Sequence, residues 1–418
     1  MGYLCALAIL ILAAIGTPIF VIMAASALTA FTFSGVDTSA VAVEIYRIAS
    51  APTLLTIPLF TFAGYMMAES KSPLRLLKLA EEAIGWMPGG VAIVSIIICA
   101  FFTAFTGASG VTIIALGGLL FPILKNEGYT EKFSLGLITT CGSLGLLFPP
   151  SLPIILYGLV AKVDIDKLFK AGIIPGLLLI FILSAWSIKN NPKRLERKKF
   201  NSSAFLAALK LAFWEALLPF LVLIGIYGGY TTASEAAAIT AFYILILECF
   251  VYKDLSFRKD IPRVIVESMS LVGAILLILC CALGLTNYLV DEEVPMKIFV
   301  LMKTFLHDRY SFLLFLNFFL LIVGCMMDIF SAIIVVVPLI IPIAKEFGVN
   351  PIHLAIIFLT NLEIGYITPP VGINLFISSF RFNRSVTDLY KVSLPYLFLL
   401  LFALAIITYV PWLTLVWF

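Results

Sequence analysis

Two stretches of this sequence place hydroxyls, amides and a carboxylate inside runs that are otherwise apolar. One is Gly142-Ser143-Leu144-Gly145-Leu146-Leu147-Phe148-Pro149-Pro150-Ser151. The other is Asn361-Leu362-Glu363-Ile364-Gly365-Tyr366-Ile367-Thr368-Pro369-Pro370, with Asn374 just beyond it. Two shorter clusters precede them: Thr106, Gly107, Ser109, Gly110 and Thr112, then Asp328 and Ser331. Polar groups at membrane depth are costly and mark ion or substrate paths. Hydroxyls, amides, carboxylates and freed carbonyls are hard oxygen ligands. They suit Na⁺, or Asp328 and Glu363 could instead carry protons. Plainer roles stand beside these. A Ser or Thr can bond back to its own helix, and Asp328 can simply cap the helix it begins.

The backbone around these residues explains how they would be positioned. The apolar runs Phe133 to Thr140 and Leu152 to Val160 are each too short to cross a bilayer, which takes roughly 20 residues. Pro149 and Pro150 lack N–H groups and drive their predecessors out of helical geometry. The sequence therefore predicts one membrane helix broken near mid-depth. Irregular backbone survives there only when protein buries it or it lines a polar cavity. The second stretch follows the first by 220 positions without a gap. The shift pairs Pro122 with Pro342, Lys125 with Lys345, Gly145 with Gly365 and Pro149-Pro150 with Pro369-Pro370. Matching interruptions in two halves point to a transporter site.

Composition sets the class. The chain is 62% hydrophobic and 12% charged, against about 25% charged in soluble domains. It reads as an all-α polytopic membrane protein. Run length and the lack of alternating polarity exclude a barrel. The first apolar run starts at once, without a basic region or cleavage site, so it reads as a retained helix. A net charge of +3 argues against a nucleic-acid partner. Seven cysteines lie in or beside apolar segments, without C-x-x-C spacing, and read as small buried residues. His307 and His353, both expected in outer loops, assemble no catalytic set. Walker A and H-E-x-x-H patterns are absent, so no enzyme activity is expected.

In chain order, the sequence predicts a helix over Leu4 to Phe31, a polar loop from Ser34 to Glu44, and a helix over Ala51 to Met67. An amphipathic surface helix then runs from Lys71 to Gly85. Val91 to Phe105 and Val111 to Leu124 read as a re-entrant hairpin with its tip at Thr106 to Gly110, or as one kinked helix. The broken helix, a charged loop (Lys162 to Lys170) and a helix over Ala171 to Ile188 complete a first repeat, residues 1–188. Residues 189–230 hold a basic linker, Lys189 to Lys199, and an unmatched helix from Leu211 to Gly228. Residues 231–418 repeat the order. Helices run over Ala236 to Tyr252 and Val264 to Leu289, with a surface helix from Pro295 to Leu306. A hairpin covers Phe312 to Ala344 with its tip near Asp328. The second broken helix spans Leu354 to Phe380, and a last helix runs from Leu394 to Phe418. Glu235 is expected to cap a helix start.

The unmatched helix adds one crossing, so the second repeat should enter the membrane inverted. With the N-terminus cytoplasmic, nineteen of the 27 basic residues fall in inside segments, as the positive-inside rule requires. The first hairpin then opens inward, the second outward, and the C-terminus lies outside.

These motifs carry a resemblance. The pattern from Gly142 to Gly158 (G-x-L-G-x-L-x-P-P-S-x-P-x-x-x-Y-G) resembles the large membrane subunit of tripartite ATP-independent periplasmic (TRAP) transporters. So do Ala171 to Gly176, Gly229 to Ala238, Met327-Asp328, Asn361 to Gly365 and Thr368 to Phe376. Coverage is nearly the whole chain. The resemblance implies an elevator transporter of the bacterial inner membrane, with a mobile domain of two hairpins and two broken helices against a scaffold. It implies a separate small membrane subunit of about four helices, a soluble periplasmic substrate-binding protein, and Na⁺-driven uptake of an organic acid of the sialic acid or C4-dicarboxylate type. Its ion sites map onto Gly107, Ser109, Ser143, Gly145, Pro149 and Pro150, and onto Asp328, Ser331, Gly365, Thr368, Pro369 and Pro370. Thr106, Thr112, Ser151, Asn361, Glu363 and Asn374 are left to face the substrate. A stand-alone Na⁺/anion symporter of related fold is the alternative. The tip is poorer in serine than the family's usual one, and the turn at Thr232-Ala233-Ser234-Glu235 departs from T-P-T-E.

Overall fold

The computed structural model describes residues 2–35, 37–39, 42–43, 46, 50, 52–192, 200–306 and 308–418. His307, the basic residues 193–199 and part of the expected polar loop between 34 and 44 lie outside these. Among the described residues the secondary structure is helical, without strands. Among the described residues, eight helices are long and apolar enough to cross a membrane, or up to nine if a bent pair is one span. The chain is a polytopic membrane protein.

Helices α1 (Gly2–Ala14) and α2 (Ile19–Ser34) occupy the region expected to hold one continuous helix. Pro18 has no N–H for the ladder, and Gly16 takes a left-handed φ of 87°, so the span parts there. A 3₁₀ turn (Pro52–Leu55) leads into α3 (Thr56–Glu69). Helix α4 (Ser72–Ile84) is the amphipathic surface helix.

Helices α5 (Gly90–Thr106) and α6 (Ser109–Asn126) form the first hairpin, joined through Gly107 and Ala108. Gly107 sits at φ 64°, a left-handed cap suited to glycine. The first broken helix is α7 (Glu131–Cys141), a 3₁₀ turn (Leu144–Leu147) and α8 (Leu152–Ala161), bent by 44°. Helix α9 (Ile165–Lys189) starts earlier than expected because Asp164 accepts the Asp166 N–H as a cap. The loop before it shrinks accordingly.

The unmatched helix is α10 (Ser202–Tyr227). Helix α11 (Ala233–Ile246) opens with a capping box between Thr232 and Glu235, as expected for Glu235. It closes in a π turn, Leu247–Val251. Then come α12 (Asp260–Asp291) and the short α13 (Val294–Lys303). The second hairpin is α14 (Arg309–Met326) and α15 (Ile329–Glu346), with its tip at Met327 and Asp328. Helix α16 (Pro351–Gly365) and α17 (Ile373–Phe382) flank the second break. Helix α18 (Val386–Tyr409) ends before Pro411, and a turn of helix, α19 (Trp412–Leu415), follows. The single terminal helix expected from 394 to 418 is thus two pieces. The order short helix, hairpin, broken helix occurs twice.

His353 is not in a loop. It sits in the first turn of α16, fully buried, with Nδ1 2.8 Å from Thr414 Oγ1 and Nε2 3.1 Å from the Thr408 carbonyl. Pro351 and the Asn350 cap start the helix before it.

Candidate functional site

The first break is folded against the first hairpin. A Cβ on Gly145 would overlap the Ala100 carbonyl and the Ala104 nitrogen, both on α5. A Cβ on Gly107 would overlap Leu152 at the start of α8. Glycine is what lets these backbones touch. The Thr103 hydroxyl lies 2.8 Å from each of three oxygens: the Cys99 carbonyl, the Thr112 hydroxyl and the Gly142 carbonyl. One hydroxyl thereby ties both arms of the hairpin to the break. Inside the break, Leu146, Phe148 and Ser151 donate their N–H groups to Ser143, Gly145 and Phe148 carbonyls, each at 3.0 Å. The Ser151 hydroxyl donates to the Leu146 carbonyl at 2.5 Å. The Pro149–Pro150 and Pro369–Pro370 bonds are both cis. Thr106 Oγ1 has only long contacts, 3.4 and 3.5 Å to Ala108, too long for well-formed bonds.

The second break is built alike with different partners. A Cβ on Gly365 would overlap the backbone of Gly324 on α14. The Gly372 N–H donates to the Cys325 carbonyl at 3.0 Å, and Asn374 N–H to the Tyr366 carbonyl at 3.1 Å. The Thr368 hydroxyl bonds back to Ile364 at 2.8 Å. The Tyr390 hydroxyl contacts the Pro370 carbonyl.

The two breaks meet. Asn374 Nδ2 is 3.2 Å from the Thr139 carbonyl and 3.4 Å from Ser143 Oγ. One turn along, the Thr139 and Ser378 hydroxyls bond at 2.9 Å. Thr139 and Ser378 were not singled out by sequence. For Ser378 the spacing was the available signal: it follows Asn374 by four within α17, so the two share a helix face. Asn374 Oδ1 and Thr140 Oγ1 are buried without a protein partner among the described residues. Buried acceptors of this kind normally find one. They are hard oxygens, and their chemistry fits Na⁺.

Asp328 takes the capping geometry. Its Oδ1 accepts the Phe330 and Ser331 N–H groups at 3.0 Å, and its Oδ2 accepts the Ser331 hydroxyl at 2.5 Å. The Tyr366 hydroxyl from the second break accepts the next amide, Ile329 N–H, at 2.8 Å. The hairpin tip and the break are therefore joined at this cap. Asp328→Ala is expected to cost about 1 kcal/mol of stability from the lost cap. Thermal unfolding in detergent measures this loss, and an unchanged midpoint would mean that the cap contributes nothing to stability.

Asn361 and Glu363 point to opposite faces of α16, being two residues apart on a helix. Asn361 Nδ2 donates to Asn317 Oδ1 at 2.7 Å and to the Ile357 carbonyl at 2.8 Å. Asn317 in turn donates to Thr408 at 3.0 Å. This polar chain runs from α16 through α14 to α18. Glu363 is fully buried, and neither carboxyl oxygen has a protein partner among the described residues.

A second polar centre lies apart from the breaks. Arg75 of α4, only 9% exposed, meets three carboxylates. Its Nε is 2.8 Å from Glu215 Oε1 on α10, Nη1 2.5 Å from Asp254 Oδ2, and Nη2 3.1 Å from Glu248 Oε2 in the π turn. The guanidinium also stacks over Tyr252, 3.9 Å from its centroid. Sequence reasoning missed this centre by reading α4 only as an amphipathic helix along the membrane surface. The signal was Glu215 and Glu248, two carboxylates within apolar runs.

Known proteins resemble this chain over most of its length. The family model described as "Tripartite ATP-independent periplasmic transporter, DctM component" matches residues 5–413. An isethionate TRAP transporter permease protein, DctMQ, of Oleidesulfovibrio alaskensis is 40% identical over 86% of this chain. The chain spans just 57% of that longer relative. The C4-dicarboxylate TRAP transporter large permease protein DctM of Pseudomonas aeruginosa is 35% identical, over 92% of this chain and 90% of its own length. In fold, the chain is similar to the YdaH transporter of Alcanivorax borkumensis, with a TM-score of 0.62 at 15% identity, over 91% of this chain and 88% of that one. With nearly its whole length matched, and with both glycine-bearing breaks packed into the core, the chain belongs to the DctM component family of tripartite ATP-independent periplasmic transporters.

Proposed function

We propose that this protein is the membrane permease of a Na⁺-driven, binding-protein-dependent importer of an organic acid in the bacterial inner membrane. The observation that carries the reading is the junction of the breaks, where Asn374 of one bonds Thr139 and Ser143 of the other. Two half-helix ends meet at this junction, and Asn374 Oδ1 and Thr140 Oγ1 lack a protein partner among the described residues. Such ends suit an ion and an anionic cargo together.

In this reading the two hairpins and two broken helices (α5 to α8, α14 to α17) move as one body, re-entering the membrane from opposite sides. Helices α3, α4 and α10 to α12 stay fixed as scaffold. The N-terminus is cytoplasmic and the C-terminus periplasmic. Na⁺ binds at Gly107, Ser109, Ser143, Gly145, Pro149 and Pro150, and at Asp328, Ser331, Gly365, Thr368, Pro369 and Pro370. Thr106 and Asn374 face the acid. Asn361, Thr112 and Ser151, assigned to the substrate on sequence, have less support, because their polar groups are engaged by Asn317, Thr103 and the Leu146 carbonyl. Glu363, assigned with them, keeps both oxygens unpartnered among the described residues. The relatives' names bring isethionate and C4-dicarboxylates as cargo classes. The fused DctMQ name is consistent with a small membrane subunit as partner. A periplasmic binding protein delivers the acid.

The test is uptake into proteoliposomes holding this chain, the small subunit and the binding protein. Uptake is expected to vanish when choline replaces Na⁺. Equal uptake in both would remove the coupling. Full uptake without the binding protein would move the chain to the stand-alone Na⁺/anion symporters.

A further inference from the structure

A cavity of about 640 Å³ lies away from the breaks, between the start of α7, the end of α9 and the first turns of α18. That volume is in the range of small-molecule pockets. Its floor is aromatic. Phe133 stacks on Tyr129 with centroids 4.7 Å apart. Tyr396 lies 6.1 Å from Phe133 and donates its hydroxyl to the Phe133 carbonyl at 2.9 Å. Trp186 closes one side. The Tyr396 ring is seated on Gly136, where a Cβ would overlap it. The floor is thus a fixed surface shared by three helices.

The rim is charged, and its charges are unevenly satisfied. Arg384 pairs with Glu131, which also meets Lys125 at 3.4 Å. Asp388 accepts the Ser385 hydroxyl at 2.6 Å as part of the α18 cap. Both carboxylates are therefore engaged. Lys132 and Lys391 also line the cavity, from α7 and α18. Neither ammonium has a hydrogen-bond or ion-pair partner among the described residues. The amino ends of α7 and α18 add partial positive charge to the same rim.

We infer that this cavity seats the headgroup of an anionic phospholipid. Its phosphodiester lies between Lys132 and Lys391, and its glycerol and first acyl carbons lie against Phe133, Trp186 and Tyr396. Aromatic rings with one wet and one apolar edge belong at the membrane–water boundary. Basic pockets between membrane helices at that boundary recognise acidic headgroups. A soluble anion would use the lysines and leave the aromatic floor unfilled. A neutral lipid would use the floor and leave the lysines unpaired. The seated lipid would bridge the first broken helix to α18. The inference stands independently of Na⁺ coupling.

The test uses the purified, delipidated full-length chain in native mass spectrometry with phosphatidylglycerol and phosphatidylcholine. One phosphatidylglycerol should be retained and phosphatidylcholine should not. Lys132→Ala/Lys391→Ala is expected to lower that retention by about tenfold or more. Lys297→Ala/Lys303→Ala, a basic pair on α13, should leave it unchanged. Equal retention of both lipids, or unchanged retention in the cavity variant, would overturn the assignment. Displacement of phosphatidylglycerol by millimolar inorganic phosphate would overturn it too, in favour of a free anion.

Discussion

Replacing Arg75 with alanine is expected to destabilise the protein by about 3–5 kcal/mol, the cost of leaving buried charges without their partner. The reason is the imbalance around it. One guanidinium faces Glu215, Glu248 and Asp254, and among the described residues the one other cation paired there is Lys71, 3.9 Å from Asp254 and largely solvated. Without Arg75, three carboxylates confront one another at the joint of α4, α10 and the π turn. Arg75→Lys should not rescue fully, because an ammonium cannot serve three carboxylates and stack on Tyr252 at once. The measurement is resistance to unfolding in detergent, followed by fluorescence. Arg75→Ala combined with Glu215→Gln and Glu248→Gln should recover much of the loss. A single Arg75→Ala variant as stable as the parent would mean that water already reaches and solvates this centre.

Gly145→Leu and Gly365→Leu should each reduce uptake to background while the protein still inserts. Even a methyl group at Gly145 would run into the Ala100 carbonyl, and one at Gly365 into Gly324. These obstacles are backbone, so no side-chain rotation relieves them. Overpacking a well-filled core costs about 1–3 kcal/mol, and a forced backbone shift would part the break from its hairpin. Gly229→Ala is a useful contrast. That glycine has open space around it and only its left-handed φ of 71° to accommodate, so its effect on uptake should be small. Normal uptake by both leucine variants would reduce the breaks to packing features.

Much of this was legible in the sequence, for specific reasons. Paired prolines cannot join a helical ladder, so both breaks appeared where Pro149-Pro150 and Pro369-Pro370 lie. Gly107 and Asp328 marked the hairpin tips because a left-handed cap and a side-chain cap have recognisable residue types. What stayed hidden was contact between distant segments. Nothing local tells that Asn374 reaches Thr139, or that Arg75 finds Glu215 from 140 residues away. The parting of α1 from α2 was missed for another reason. A long apolar run outweighed one proline and one glycine in judging continuity. His353 was misplaced because a histidine beside Asn350-Pro351 looks like loop, although that same pair starts α16.

The π turn at the end of α11 has its own consequence. Tyr252 N–H reaches back five residues to the Leu247 carbonyl at 2.8 Å, so this turn holds one residue more than an α-helix would. An added residue advances the side-chain azimuth by about 100°. Upstream, α11 keeps one stripe against α3. At the turn and just past it, Glu248 and Tyr252 meet Arg75 of α4. A single rod can thus serve two neighbours whose directions do not share its natural pitch, and the mismatch between helix period and neighbour spacing is absorbed in one place.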